Sequence, residues 1–445
     1  MRLPMPPPDL DRLVEQAARD GRLLGILRHP ATSATTDEHL PWDELRHRPP
    51  PEGLSVQDWW LGLRMARRTN QRLLPSLLDG ELRPFRFTLP DRLLRDIDAI
   101  NRGASGQIAI SEQVTNPATR DRYVVSSLIE EAVRSSQMEG AATTRQVAKE
   151  MIRSGRPPRN RSERMIVNNF VAMQAIAERR NEALTPELVL ELHRKVTAGT
   201  LRDPSSAGTL QRSDDERIAV YSDSGELLHH PPSAEQLPER LERLCAFANG
   251  GIDDGYIPQV LRAIAIHFMM GHDHYFADGN GRTARAVFYW SMLNQGFWLT
   301  EFLTISRILK GAPVPYARAF LHTEQDEGDL TYFFLHQTGT ILRAMADLDR
   351  YLQRKADELK AVQYAVQASP GEFNHRELAL LDHAVRTPGA AYTVVTHQRS
   401  HGVSHQTARS DLMHLEAKGL LACHRQGRSY VWTPHADLPG RLVRR

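Results

Sequence analysis

The sequence predicts a mainly α protein with a helical core, one inserted β-hairpin, and a separate C-terminal module of three short helices and two strands. Three observations lead there. Apolar residues recur at helical spacing through most of the first 367 residues. Two β-prone runs, Arg217–Tyr221 and Glu226–His230, flank an Asp-Ser-Gly turn and stop at Pro-Pro. From 373 to 436 the helical periodicity shortens and gives way to two runs around Gln-Gly.

Taken in order, LDRLVEQAARDGRLLGIL (10–27) reads as short helix and RHRPPPEGL (46–54) as loop. A helix is expected over 55–79, with Trp59, Leu63, Ala66 and Leu73 near one stripe. LPDRLLRDIDAINRG (89–103) follows, with Pro90 near its start and Gly103 after its end. YVVSSLIEEAVRSSQM (123–138) places Val125, Ile129, Ala132 and Ser136 on one face. SGRPPRNRS (154–162) is a basic loop. Helices are then expected around 163–180, 185–199, 235–249, 257–271 and 281–295, and over 315–367 with a break near Gly328-Asp329. Ser369-Pro370-Gly371 reads as a linker. The resulting domains are a helical region over 1–119, a core over 120–368 and a tail over 372–445.

Apolar content of 41% with 25% charged residues is that of a globular chain, and a net charge of +2 does not mark a general polyanion binder. Cys245 and Cys423 form no CxxC pair, so a disulfide framework or cysteine zinc site is not expected. No apolar run approaches the roughly 20 residues of a membrane helix, and MRLPMPPPDL lacks the apolar core of a signal peptide. A cytoplasmic protein without membrane contact is the expectation. The apolar-rich N-terminal region is compatible with a homodimer.

The chemistry concentrates in HYFADGNGRTAR, 274–285. PQVLRAIAIHFMMG precedes it as a helix with Leu261, Ile264, Ala265 and Phe268 on its apolar face. RTARAVFYWSMLNQG follows, with Ala284, Val287 and Phe288 inward and Gly296 as its stop. The glycines therefore lie at the mouth of a helix, where unpaired N–H groups and a positive partial charge favour phosphate. Arg282 and Arg285, three apart, project to one side of that mouth and suit several phosphates in a row. Asp278 adds a carboxylate fit for Mg²⁺ shared with phosphate oxygens. His274 is placed to act as general base for an attacking hydroxyl, and Phe276 to plug into the core. Together they describe a nucleotide-dependent transfer onto a hydroxyl. The bland alternative is a glycine turn with a capping Asp and two solvated arginines.

HYFADGNGRTAR resembles the Fic family signature HPFx[D/E]GNGRxxR at every position but Tyr275, where the family usually has proline. A tyrosine is expected to leave that peptide freer. A weaker resemblance runs from about 120 to 340, through the LHRKV helix near His193, the hairpin and IPQVLRAIAIHF. It implies a Fic-type helical core with a β-hairpin flap, and transfer of AMP from ATP, with Mg²⁺, to a Ser, Thr or Tyr hydroxyl of a protein, self-modification included. It implies His274 as base and Asp278 as metal ligand. Gly279, Asn280 and Gly281 would be the phosphate nest, Arg282 would hold the departing phosphates and Arg285 the γ-phosphate. The 217–230 hairpin reads either as a flap that aligns the target by strand pairing or as an ordinary surface hairpin. Gly208 is followed by Arg212, one place later than the family's Gly-x-x-Arg.

SSQMEG (135–140) is similar to the family's inhibitory motif [S/T]xxxE[G/N], with Ser135, Glu139 and Gly140 matching. By that resemblance the helix over about 123–140 is inhibitory. Glu139 would pair bidentately with Arg285 in the place of the γ-phosphate. In some members the glutamate also supports removal of AMP. The alternative is a solvated glutamate at a helix end.

The tail resembles the winged helix-turn-helix family. ELALLDHAV, TVVTHQRSHG and SHQTARSDLMHLEAKG are its helices, Ser404 and Gly419 bound the third, and ACHRQGRSYVW supplies the wing. Ala408, Leu412 and Leu415 face the core, while His405, Gln406 and Arg409 face outward as if toward a major groove. Arg425 and Arg428 flank the wing tip near phosphate, and Asp411 and Glu416 temper the charge. DNA binding and protein docking both remain open. So does a second function, a DNA-binding regulator whose core senses nucleotide. HDH at 272–274 has no neighbour at zinc-ligand spacing, and His267 reads as a packed residue.

Overall fold

The computed structural model describes all residues except 1, 34–37, 105–116, 215, 223–224, 252–253, 368–371, 387–389, 427–428, 436 and 444–445. Two compact units result, 1–346 and 347–445.

In the first unit the helix Val56–Asn70 starts at a capping box in which Ser55 and Asp58 satisfy each other's backbone N–H. It stops earlier than the periodicity predicts. Arg72–Leu78 forms strand β1, paired antiparallel with β2, Pro84–Phe87. Leu73 is thus a strand residue, half exposed, and belongs to no helical stripe. The run RLLPSLL carries Pro75, which a helix interior excludes. The Asp91–Ala104 helix, by contrast, runs past its expected stop and takes in Gly103.

Buried charges hold this N-terminal part in place. Arg64 pairs with Asp326 at 2.9 Å, Arg67 donates to the Tyr332 hydroxyl at 2.8 Å, and His39 meets Asp329 at 2.9 Å. The turn at Gly328-Asp329 that receives them also pairs with β2: Arg86 donates to the Gly328 carbonyl, and Leu330 donates to that of Arg86. This turn parts the helices Pro313–Gln325 and Thr331–Gln367.

The middle of the unit is a set of packed helices. Gln259–Asp273 lies against Asn280–Asn294, and the latter packs on Arg161–Glu178, Pro186–Thr197 and Pro117–Met138. Gln259–Asp273 is buried on every side rather than along a stripe, as befits a central helix. Phe268, Phe276 and Trp290 are among its neighbours' fully enclosed side chains and its own. In Pro117–Met138, Ile129, Ala132 and Ser136 are buried as expected, but Val125 is exposed. Two short helices, Arg145–Ser154 and Ile305–Gly311, join those the periodicity indicates. β3 (Val220–Tyr221) and β4 (Leu227–His229) form a short antiparallel hairpin closed by Ser222 N–H donating to the Glu226 carbonyl.

In the second unit the helices His375–Arg386, Val394–His401 and His405–Ala417 pack with the hairpin β5 (Leu421–Gln426) and β6 (Ser429–Pro434). Leu381, Leu412, Leu415, Leu420 and Trp432 form its core. Gly402 ends the second helix at φ 61°, and Ser404 caps the third through the Thr407 N–H. Asp411 and Glu416 do not temper an outer face. Asp411 is buried against Arg376, Asn374 and His397, and Glu416 accepts from the Trp432 indole at 2.8 Å. The 369–371 linker lies outside the described residues.

Candidate active site

The helix Gln259–Asp273 ends because His274 adopts φ 48° and ψ 56°, a left-handed conformation uncommon for a residue with a side chain. The bend is enforced from outside. Arg217 donates to the carbonyls of His274 (3.1 Å), Asp273 (2.7 Å) and Pro232 (2.7 Å) and also meets the Gln211 side chain. Gln211 N–H donates to the Tyr275 carbonyl at 3.0 Å. Burial, with lesser contributions from His229 and Arg217, lowers the His274 imidazole to about 4, so it is neutral at pH 7.

Tyr275 is not a freer version of proline. It is fully buried, and its hydroxyl donates to Asp273 at 2.7 Å. Asp273 also pairs with Arg240 at 2.6 Å and with His272 at 3.0 Å, so a single buried carboxylate gathers three partners beside the base. A proline could not supply that hydroxyl.

The remainder of the loop is clasped from within and below. The Asn280 side chain accepts from Phe276 N–H at 2.9 Å and donates to its carbonyl at 2.6 Å. The Asn280 side chain thus closes the loop, and its backbone N–H is the group left to contribute to the expected nest. His193 stacks on Phe276 at 3.7 Å, accepts from Gly208 N–H at 2.8 Å, and donates to the Asp278 carbonyl at 2.9 Å. Burial lowers it to about 4, which keeps it neutral for this bracing role. Arg212 is exposed, and Gln211 and Arg217 contact the loop in its stead.

The helix Asn280–Asn294 starts at Gly279, φ 88°, with no side chain capping it. Its first intrahelical bond comes from Thr283 N–H, which leaves those of Asn280, Gly281 and Arg282 without a helical partner. A Cβ on Gly281 would collide with the Glu139 carboxylate, and one on Gly279 would lie 2.6 Å from a Thr197 methyl. Arg282 is fully buried. Its Nη1 donates to the Val196 carbonyl at 2.7 Å, while Nε and Nη2 have no hydrogen-bond partner among the described residues. Nη2 sits 3.6 Å from Asp278, whose half-exposed carboxylate also lies 3.4 Å from Arg161.

Arg285 is occupied. Nε donates to the Ser135 hydroxyl at 2.8 Å, and Nη2 to the Ser135 carbonyl at 3.0 Å and to Glu139 at 2.8 Å. The expected bidentate pair is a single contact to Glu139, because Ser135 takes Nε and shares Nη2 with that glutamate. Glu139 follows the last turn of Pro117–Met138, and Gly140 at φ 84° turns the chain away behind it.

The structure thus brings His274, Phe276, Asp278, Gly279, Asn280, Gly281, Arg282 and Arg285 into one site and sets Ser135, Glu139 and Gly140 beside it. Sequence reasoning missed Arg217, Arg240, Asp273 and Gln211, and gave His193 no role. Their positions carry no local pattern. In the second unit His405, Gln406, Arg409 and Arg425 are exposed. Arg428 lies outside the described residues.

Residues 183–292 match the model of the Fic/DOC family, a span that contains the whole loop. The chain is 26% identical over 216 residues to the protein adenylyltransferase Fic of Drosophila willistoni, covering 47% of this chain and 40% of that relative. The corresponding protein of Drosophila persimilis matches at the same identity, covering 47% and 39%. The chain therefore spans about 40% of the length of these curated relatives. Its fold is similar to the crystal structure of a Fic family protein from Desulfovibrio desulfuricans G20, with a TM-score of 0.52 and 17% identity over 79% of this chain and 98% of that one. No helix among the described residues is long and apolar enough to cross a membrane.

Proposed function

We propose that this chain is a protein adenylyltransferase restrained by its own Glu139. The observation that carries the reading is Arg282. A buried guanidinium stands at an uncapped helix start with two nitrogens that make no hydrogen bond among the described residues and only a 3.6 Å ion pair to the half-exposed Asp278, an arrangement with room for a further anion. The loop that holds it also presents a neutral His274, and the curated relatives it resembles are named for adenylyl transfer.

In the reaction we infer, a Ser, Thr or Tyr hydroxyl of a protein attacks the α-phosphorus of ATP. The new O–P bond forms as the bond to the bridging oxygen breaks, His274 takes the hydroxyl proton, and pyrophosphate leaves. The N–H groups of Asn280, Gly281 and Arg282 and the free edge of Arg282 hold the phosphates. A Mg²⁺ ion would supply charge neutralisation, and Asp278 is the half-exposed carboxylate that would hold it. The β3–β4 hairpin serves as flap, with exposed Tyr221 and Leu227 offering an edge for a target segment. Glu139 acts as brake by engaging Arg285, the residue that would otherwise take the γ-phosphate.

ATP labelled at the α- or the γ-phosphate tests the reading. The α label is expected to appear on protein and the γ label is not, and His274→Ala is expected to lower labelling roughly 100-fold or more. Transfer of the γ label, or α labelling that persists in His274→Ala, contradicts it.

For the second unit we infer a winged helix-turn-helix that binds DNA. With Asp411 and Glu416 turned inward, the third helix offers His405, Gln406 and Arg409 without opposing acid from those two positions.

A further inference from the structure

We propose that His229, His272 and Glu324 form a site for a divalent transition-metal ion of the zinc type, distinct from the Asp278 position. One ligating atom from each lies within 4.8 Å of the others. The three residues come from β4, from the end of the helix Gln259–Asp273 and from the helix Pro313–Gln325, which is why no local spacing announced them. Ligands at zinc–nitrogen and zinc–oxygen distances of about 2.0–2.2 Å sit roughly 3.5 Å apart, so shifts on the order of 1 Å close the set around an ion.

The hydrogen bonds around the two imidazoles point the same way. His229 Nε2 lies 2.7 Å from the His272 carbonyl, which can only accept, so Nε2 carries the proton. In the neutral ring the lone pair is then on Nδ1, which faces the Glu324 carboxylate at 3.0 Å. A cation belongs between the two: a second ring proton fills that role in the metal-free chain, and a metal ion would take its place. His272 Nδ1 lies 3.0 Å from Asp273, which leaves the lone pair on Nε2. Asp273 is in turn fixed by Arg240 and by the Tyr275 hydroxyl. A carbonyl behind one imidazole and an anchored carboxylate behind the other is the arrangement that orients histidines toward a metal. Two imidazoles and one carboxylate suit Zn²⁺ and its neighbours rather than Mg²⁺ or Ca²⁺, and three protein ligands leave a position for water. His272 and His229 are largely buried, whereas the Glu324 side chain keeps 23% of its surface and gives an approach. An ion here clasps the base of the β3–β4 hairpin to the chain two residues before His274.

The full chain, stripped with a chelator, is titrated with Co²⁺ as a visible-absorption probe, and with Zn²⁺ followed by dialysis and elemental analysis. One ion per chain is expected, with ligand-field bands of a nitrogen and oxygen site. His229→Ala and Glu324→Gln are each expected to weaken binding about tenfold or more, while Asp278→Ala keeps it. Zn²⁺ is expected to raise the melting temperature of the wild type but not of Glu324→Gln, a near-isosteric change that keeps the variant folded. The proposal fails if the stripped wild type shows no Co²⁺ bands, if Asp278→Ala loses them, or if Glu324→Gln and His229→Ala bind as the wild type does.

Discussion

At Tyr275 a departure from a familiar motif becomes a structural part. A proline would stiffen the turn by covalent restraint. Here the hydroxyl bonded to buried Asp273 and the carbonyl bonded to Gln211 do so instead. Tyr275→Phe removes one partner from a buried carboxylate, and such a loss costs about 1–3 kcal/mol. A lowered melting temperature is expected, and an unchanged one would show that the hydroxyl contributes nothing. Ser135 is the other instructive residue. It holds one edge of Arg285 while Glu139 takes a single nitrogen. Ser135→Ala is therefore expected to raise AMP transfer, by less than replacement of Glu139 does, in the α-label assay. The residues of the loop were legible as one group because they are contiguous, so a histidine, an acid, glycines and two arginines declare themselves together. Asp273, Arg240 and Arg217 were not, because each acquires its role only when separate elements meet.

Among the elements, the hairpin and the loop are joined by Arg217, which donates to three backbone carbonyls across them. Its removal frees the left-handed His274 from outside support. Arg217→Ala is expected to lower labelling about tenfold or more while ATP affinity stays near the wild-type value, since none of its contacts touches the phosphate-facing N–H groups. A matching loss of ATP affinity would contradict that division. The helices around the loop were legible from periodicity, but β1 was not. RLLPSLL continues the apolar content of the preceding helix, and only its proline argues against helix. The third helix of the tail was read with the right core face, yet Asp411 was misplaced, because an acid in sequence gives no sign of an Arg376 packed beneath it. The Asp411 carboxyl is held near 2, below its usual value, despite burial, by hydrogen bonds from Arg376, Asn374 and His397. A depressed carboxyl contributes stability above its unfolded value of about 3.8 and loses that contribution as pH falls toward 2. Amide exchange across 405–417 is expected to accelerate over that interval, and Asp411→Asn to remove the dependence.

For the molecule as a whole, the two compact units carry separate proposals, transfer in the first and DNA reading in the second. Arg409→Ala with Arg425→Ala in the full chain is expected to weaken DNA retention and make it less dependent on salt, leaving AMP labelling unaltered. In the first unit Arg285 is paired with Glu139 at 2.8 Å, the contact on which the proposed restraint rests. Intact mass after incubation with ATP and Mg²⁺ reads that restraint in one step. The wild type is expected to gain little and Glu139→Gly to gain one AMP mass on a large fraction of the chains. Equal, substantial gain in the two would show that Glu139 restrains nothing, and no gain in either would contradict adenylyl transfer onto the chain itself.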